Sequence, residues 1–137
     1  MTLMTWGPIL EVGFGDIDVQ HRKLVDLVNE LDDAMRAGRG QGVADAVLDD
    51  LVNYTIHHFA FEEQLMDEYQ ISSAAGHKAE HEQLVVEVSA FRARIQSGSA
   101  PLSDLMALLR TWLTDHILKT DKALAKELLA KGAKSRS

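Results

Sequence analysis

The chain has 137 residues, 46% hydrophobic and 26% charged, the balance of an ordinary globular domain with a real core. Its 14 Lys and Arg stand against 21 Asp and Glu, a net charge of −7, which argues against nucleic acid and against an anionic membrane surface as partners. There is no cysteine, so disulfides, thiolate zinc sites, iron–sulfur clusters and cysteine nucleophiles are excluded, and any metal must be held by nitrogen and oxygen.

Met1 to Leu10 lacks the basic start and apolar run of a signal peptide, and no stretch approaches the roughly 18 apolar residues of a membrane span. The expected location is cytoplasmic. Residues 1–16, with Gly7, Pro8, Gly13 and Gly15, read as an extended arm packed on the domain through Trp6, Ile9, Leu10, Val12 and Phe14. A first helix is expected over about 18–37, capped by Asp16 or Asp18, with a buried stripe of His21, Leu24, Val28, Leu31 and Met35. Gly38 to Gly42 reads as a turn. The second helix, about 43–68, carries Val47, Leu51, Tyr54, His58, Glu62 and Leu65 on one face. Glu62 is the most informative of these, because a carboxylate on a buried stripe is costly unless it is paired or holds a metal. Glu63, about 100° around the helix, is expected to be solvated, and His57 to lie at the surface or just outside the site.

A third helix, about 74–96 with Ser72 or Ser73 as cap, aligns His77, His81, Leu84, Val88, Phe91 and Ile95. A fourth, about 101–118 with Pro101 in its first turn, aligns Leu102, Leu105, Leu109, Trp112 and His116. Asp121 lies five residues past His116, about 140° away on a regular helix, so the two converge only if a wide turn or a break near Leu118 to Thr120 intervenes. A short helix over about 122–131 follows, then a basic tail, Gly132 to Ser137, expected to fray. Four amphipathic helices with short links predict one all-α domain over residues 1–137, an antiparallel up-down-up-down bundle with an N-terminal arm and a short C-terminal helix.

In that topology His21, near the start of the first helix, meets His58 and Glu62, near the end of the second, at one end of the bundle. His77 and His81 open the third helix there, and His116 closes the fourth. Five histidines and two carboxylates are too many donors for one four-coordinate zinc and too rich in imidazole for calcium or magnesium. They suit a pair of iron ions, and manganese less well.

The segments Asp18-Val19-Gln20-His21, His58-Phe59-Ala60-Phe61-Glu62-Glu63, His77-Lys78-Ala79-Glu80-His81 and His116-Ile117-Leu118-Lys119-Thr120-Asp121 resemble the hemerythrin family over about residues 6–130. The length and the Trp6 arm are most similar to its bacterial branch. The resemblance implies two non-heme iron ions per chain: one on His77, His81 and His116, the other on His21 and His58. Glu62, Asp121 and a solvent-derived oxo or hydroxo group would bridge them. It implies reversible O2 binding at the two-histidine iron, as carrier, store or delivery protein, with Trp112, Leu113 and Ile117 lining a dry O2 pocket and no catalytic residue.

The rival readings are a di-iron enzyme or peroxidase, a sensor, and an iron buffer. Ferritin-like enzymes use paired Glu-x-x-His motifs, and none occurs here. A sensor would need a separate protein partner to receive the signal, as a carrier would to receive O2. A His-Glu-x-x-His protease motif is absent. A metal-free structural bundle would leave seven buried ligand-type groups uncompensated.

Overall fold

A computed structural model of the chain describes residues 3–38 and 41–135. Five α-helices follow in order: α1 (Gly15–Arg36), α2 (Gln41–Glu68), α3 (Ala74–Gln96), α4 (Leu102–Asp115) and α5 (Lys122–Ala130). A wide π-helical segment, His116–Asp121, joins α4 to α5, and the arm contains a short 3-10 turn, Pro8–Leu10. Helix α1 packs against α2 and α4, and α3 against the same two, which closes a four-helix square.

Each helix buries residues at three- and four-residue spacing: Ile17, His21, Leu24, Val28 and Leu31 on α1, and His77, His81, Leu84 and Val88 on α3. The apolar side chains form two separate clusters. The larger, with Leu24, Leu31, Leu51, Leu84, Leu105 and Ile117, fills the length of the bundle. The smaller, with Phe14, Ile17, Met66, Ile71, Leu124 and Leu128, closes one end. Along α1, α2 and the fourth helical run, His21, Glu62 and Asp121 each fall between a residue of one cluster and a residue of the other.

The wide turn sets the phase of the C-terminal helix. On a regular helix Leu124 would face about 100° away from Leu105. The extra residue in the π-helical turn absorbs that offset, and both side chains are fully buried. The expected distortion before Asp121 is therefore present, as a wide turn rather than a break.

Several local expectations are corrected. Helix α1 starts at Gly15, with Phe14 at its N-cap, so Asp16 and Asp18 lie in the first turn. Asp18 instead accepts the Val12 and Gly13 N–H groups, at 2.7 and 3.2 Å, where Gly13 takes a positive φ of 90° to bend the arm into the helix. Helix α2 is already under way at Gln41, while Arg39 and Gly40 lie outside the described residues. Ser73 stands at the α3 N-cap without a side-chain bond, while Ser72 donates both its N–H and its hydroxyl to Glu127. Pro101 precedes α4 rather than entering it.

The tail is held as far as it is described. Ala133 is buried, the Asp16 N–H donates to Ser135 Oγ at 2.8 Å, and Lys131 Nζ donates to the Tyr69 and Gln70 carbonyls. Residues 136 and 137 lie outside the described residues. The arm is pinned at Met4, whose backbone exchanges two 2.8 Å hydrogen bonds with the Asn29 amide, and Trp6 is half-buried against the larger cluster. Among the described residues, no helix is long and apolar enough to cross a membrane.

Candidate metal centre

The four helices bring their polar stripe residues to one level. His21, His58, Glu62, His77, His81, His116 and Asp121 are all at most 3% exposed. They sort into two groups of converging ligand atoms. Glu62, His77, His81, His116 and Asp121 form one, and His21, His58, Glu62 and Asp121 form the other.

Both carboxylates belong to both groups, and each divides its oxygens between them. Glu62 Oε1 lies 3.4 Å from His77 Nε2 and 3.1 Å from His81 Nε2, while its Oε2 lies 3.3 Å from His58 Nε2. Asp121 Oδ1 lies 3.0 Å from His77 Nε2 and 3.2 Å from His116 Nε2, while its Oδ2 lies 2.8 Å from His21 Nε2. Antiparallel helices supply this convergence, and the wide turn rotates Asp121 back onto the face of His116. His81 Nε2 and His116 Nε2 approach to 3.2 Å, nitrogen against nitrogen, as two ligands of one cation do.

A metal accounts for what hydrogen bonding leaves over. Both nitrogens of His21 and His77 and all four oxygens of Glu62 and Asp121 are buried without an aligned hydrogen bond among the described residues. Orphaned buried groups of this kind are costly. Nitrogen donors with two bridging-type carboxylates and no thiolate fit first-row transition ions.

In the metal-free chain the charges answer one another. Burial disfavours the charged form of His21, but Asp121 and Glu62 outweigh it and lift its pKa from 6.5 to about 9. His77 is raised to about 9 in the same way, against its own burial. Burial works against the charged Glu62 and Asp121 too, and Glu62 also opposes Asp121. The surrounding histidines nevertheless hold both carboxyls well below the usual range.

The two kinds of shift bound a pH window. The raised histidines stabilise the metal-free fold fully below 6.5 and lose that contribution as pH climbs through about 9. The depressed carboxylates stabilise it above 4.5 and lose it as pH falls through their lowered values. Chelator-treated protein is thus expected to be most stable between 4.5 and 6.5 and to weaken toward pH 9, measured by urea unfolding across that range. A stability that rises steadily from pH 6.5 to 9 would refute this account.

The imidazoles are also gripped from outside. His58 Nδ1–H donates to Gln20 Oε1 at 2.6 Å, His81 Nδ1–H to Glu63 Oε2 at 2.9 Å and His116 Nδ1–H to Glu80 Oε1 at 3.0 Å. Glu63 is thus an orienting partner, not a purely solvated side chain as the helical wheel suggests. Gln20 and Glu80 escape a reading of buried stripes because they are half-exposed, although each is the immediate neighbour of a ligand-type histidine. Phe59 stacks on His81, with centroids 3.7 Å apart, and Trp112 on His116 at 4.3 Å.

Of the three residues expected to line a pocket, Leu113 and Ile117 are buried in the larger cluster. Trp112 is half-exposed, and its ring meets His116 and Phe59 rather than His21 or His58. His57 is exposed beside Tyr54, away from the centre.

Residues 12–128 match the family model described as Hemerythrin HHE cation binding domain. The chain is 37% identical over 130 residues to a bacteriohemerythrin of Stenotrophomonas maltophilia (strain R551-3), covering 95% of this chain and 84% of that one. It is 40% identical over 123 residues to a bacteriohemerythrin of Pseudomonas aeruginosa (strain LESB58), covering 88% and 78%. A myohemerythrin of Riftia pachyptila is 33% identical over 118 residues, covering 85% and 86%. A wild-type hemerythrin crystal structure superposes with a TM-score of 0.84 at 34% identity, over 92% of this chain and 98% of the other.

Proposed function

The chain belongs to the hemerythrin family, and from that premise we propose that its buried centre holds two non-heme iron ions and binds O2 reversibly. The observation that carries this reading is the division of oxygens in Glu62 and Asp121, each turning one toward the three-histidine group and one toward the two-histidine group. His77, His81 and His116 would hold one ion, His21 and His58 the other, and the two carboxylates both. Bound there, a ferrous pair supplies the electrons for reversible O2 binding.

The chain's own residues do the rest. The two-histidine group offers one fewer protein donor, which would leave room for O2 on that side. Leu113 and Ile117 exclude water from the larger cluster beside His116. Gln20, Glu63 and Glu80 hold their imidazoles with the Nε2 lone pair turned inward. On this reading the protein acts as a carrier or store rather than as an enzyme.

Anaerobically reduced protein with its iron counted is to be cycled between oxygen and argon while its visible spectrum is followed. A charge-transfer band that appears with oxygen and disappears under argon is the expected result. A band that never forms, or that passes at once to a stable ferric spectrum, would overturn the carrier reading and point to a redox sensor, a peroxidase or an iron buffer.

A further inference from the structure

The partners of the outer histidine nitrogens are not distributed evenly. In the three-histidine group, His81 and His116 donate to carboxylates, Glu63 and Glu80. In the two-histidine group, His58 donates to the neutral amide of Gln20. His77 and His21 have no aligned Nδ1 partner among the described residues. Each group therefore contains one unassisted histidine, and all the assisting charge lies on one side of the centre.

An acceptor at Nδ1 does two separable things. It fixes the tautomer and the ring orientation, which an amide oxygen and a carboxylate do equally well. A carboxylate in addition pushes negative charge toward the ring and makes Nε2 a stronger donor, which an amide does not. Glu63 and Glu80 are 34% and 46% exposed, so water damps that charge without cancelling it. The damping is limited on the ring side, because Phe59 and Trp112 stack on the same two imidazoles. Glu80 is further fixed by the Thr120 hydroxyl, which donates to it at 2.9 Å from within the wide turn.

We infer that Glu63 and Glu80 are positioning residues that act through His81 and His116, so that the three-histidine position holds its metal more tightly and gives up an electron more readily than the two-histidine position. The inference rests on the two-iron reading above.

Four full-length variants test it: E63Q, E80Q, the double variant, and Q20E, which places the charge on the other side. Iron per chain, the two one-electron potentials and the rate of iron loss to a chelator are measured for each. Glutamine still accepts the Nδ1–H bond, so a purely structural role would leave the potentials unmoved. Each lost carboxylate is expected to weaken retention of the first-held ion about tenfold, within the range for such outer partners. It should raise the potential of the first oxidation by about 59 mV for each tenfold by which the loss weakens the ferric ion more than the ferrous one. Q20E should lower the second potential and bring the two steps together. Two irons per chain with potentials unchanged in all four variants would overturn the inference alone, whereas fewer than two irons in the unmodified chain would overturn it together with the reading beneath it.

Discussion

Glu62→Met is expected to abolish binding of the metal pair and to destabilise the metal-free fold, because the histidines that face Glu62 lose a buried counter-charge. Glu62 is fully buried and turns toward histidines of both groups, and among the described residues only it and Asp121 belong to both. On the two-iron reading its loss removes a donor from each ion. Metal content should drop from two per chain to at most one, weakly held. Methionine has similar volume, but removing one partner of a buried ionic set commonly costs about 3–5 kcal/mol, because the charge left behind is uncompensated. The loss is partly offset because the substitution also removes a like charge that opposes Asp121. The check is iron counting beside urea unfolding of the chelated chains at pH 6, where the raised His21 and His77 are charged and miss Glu62 most. A variant that still binds two irons would sink the shared role of Glu62.

Removing the metal from the unmodified chain should cost far more than any surface substitution. A ligand that binds only the folded state stabilises it by about 4 kcal/mol when present at a thousand times its dissociation constant. Two such ions give about 8 kcal/mol, and for a chain of this size that corresponds to a fall in Tm on the order of 20–30 °C. Thermal unfolding with and without a strong chelator reads this directly, with the Glu62→Met chain as a control that should barely respond. A shift smaller than about 5 °C in the unmodified chain would mean that the ions contribute little to folding.

Much of this arrangement is legible in the residues themselves. A carboxylate in line with Leu51 and His58, and histidines in line with Leu84 and Val88, can be placed at one level by helical spacing and alternating helix direction alone. The five-residue interval from His116 to Asp121 signals the wide turn, because no regular helix brings both to one face. What stays hidden is the outer ring of partners. Gln20, Glu63 and Glu80 are half-exposed polar residues on charged helix faces, and periodicity treats such positions as solvated. Their role depends on which neighbouring helix crosses at that height, a tertiary fact with no local pattern. The tail misleads for the same reason: its polar composition suggests fraying, but Ala133 and Ser135 find partners on the smaller cluster and on the first turn of α1.

The separation of the apolar interior into two clusters bears on how the molecule opens. A layer of buried polar side chains without aligned hydrogen bonds transmits packing less fully than continuous apolar contact, so without metal the two clusters are expected to be less tightly coupled. The smaller one, built from Phe14, Ile17, Met66, Ile71 and α5, then becomes a cooperative unit of its own. Its amides should exchange with solvent well ahead of those of mid-α1 and mid-α2 in chelated protein, and in step with them once metal is bound. The ligand side chains are almost wholly shielded, and that same opening is expected to admit ions to them. The rate of metal uptake should therefore follow the breathing of the bundle's end rather than the concentration of metal outside it.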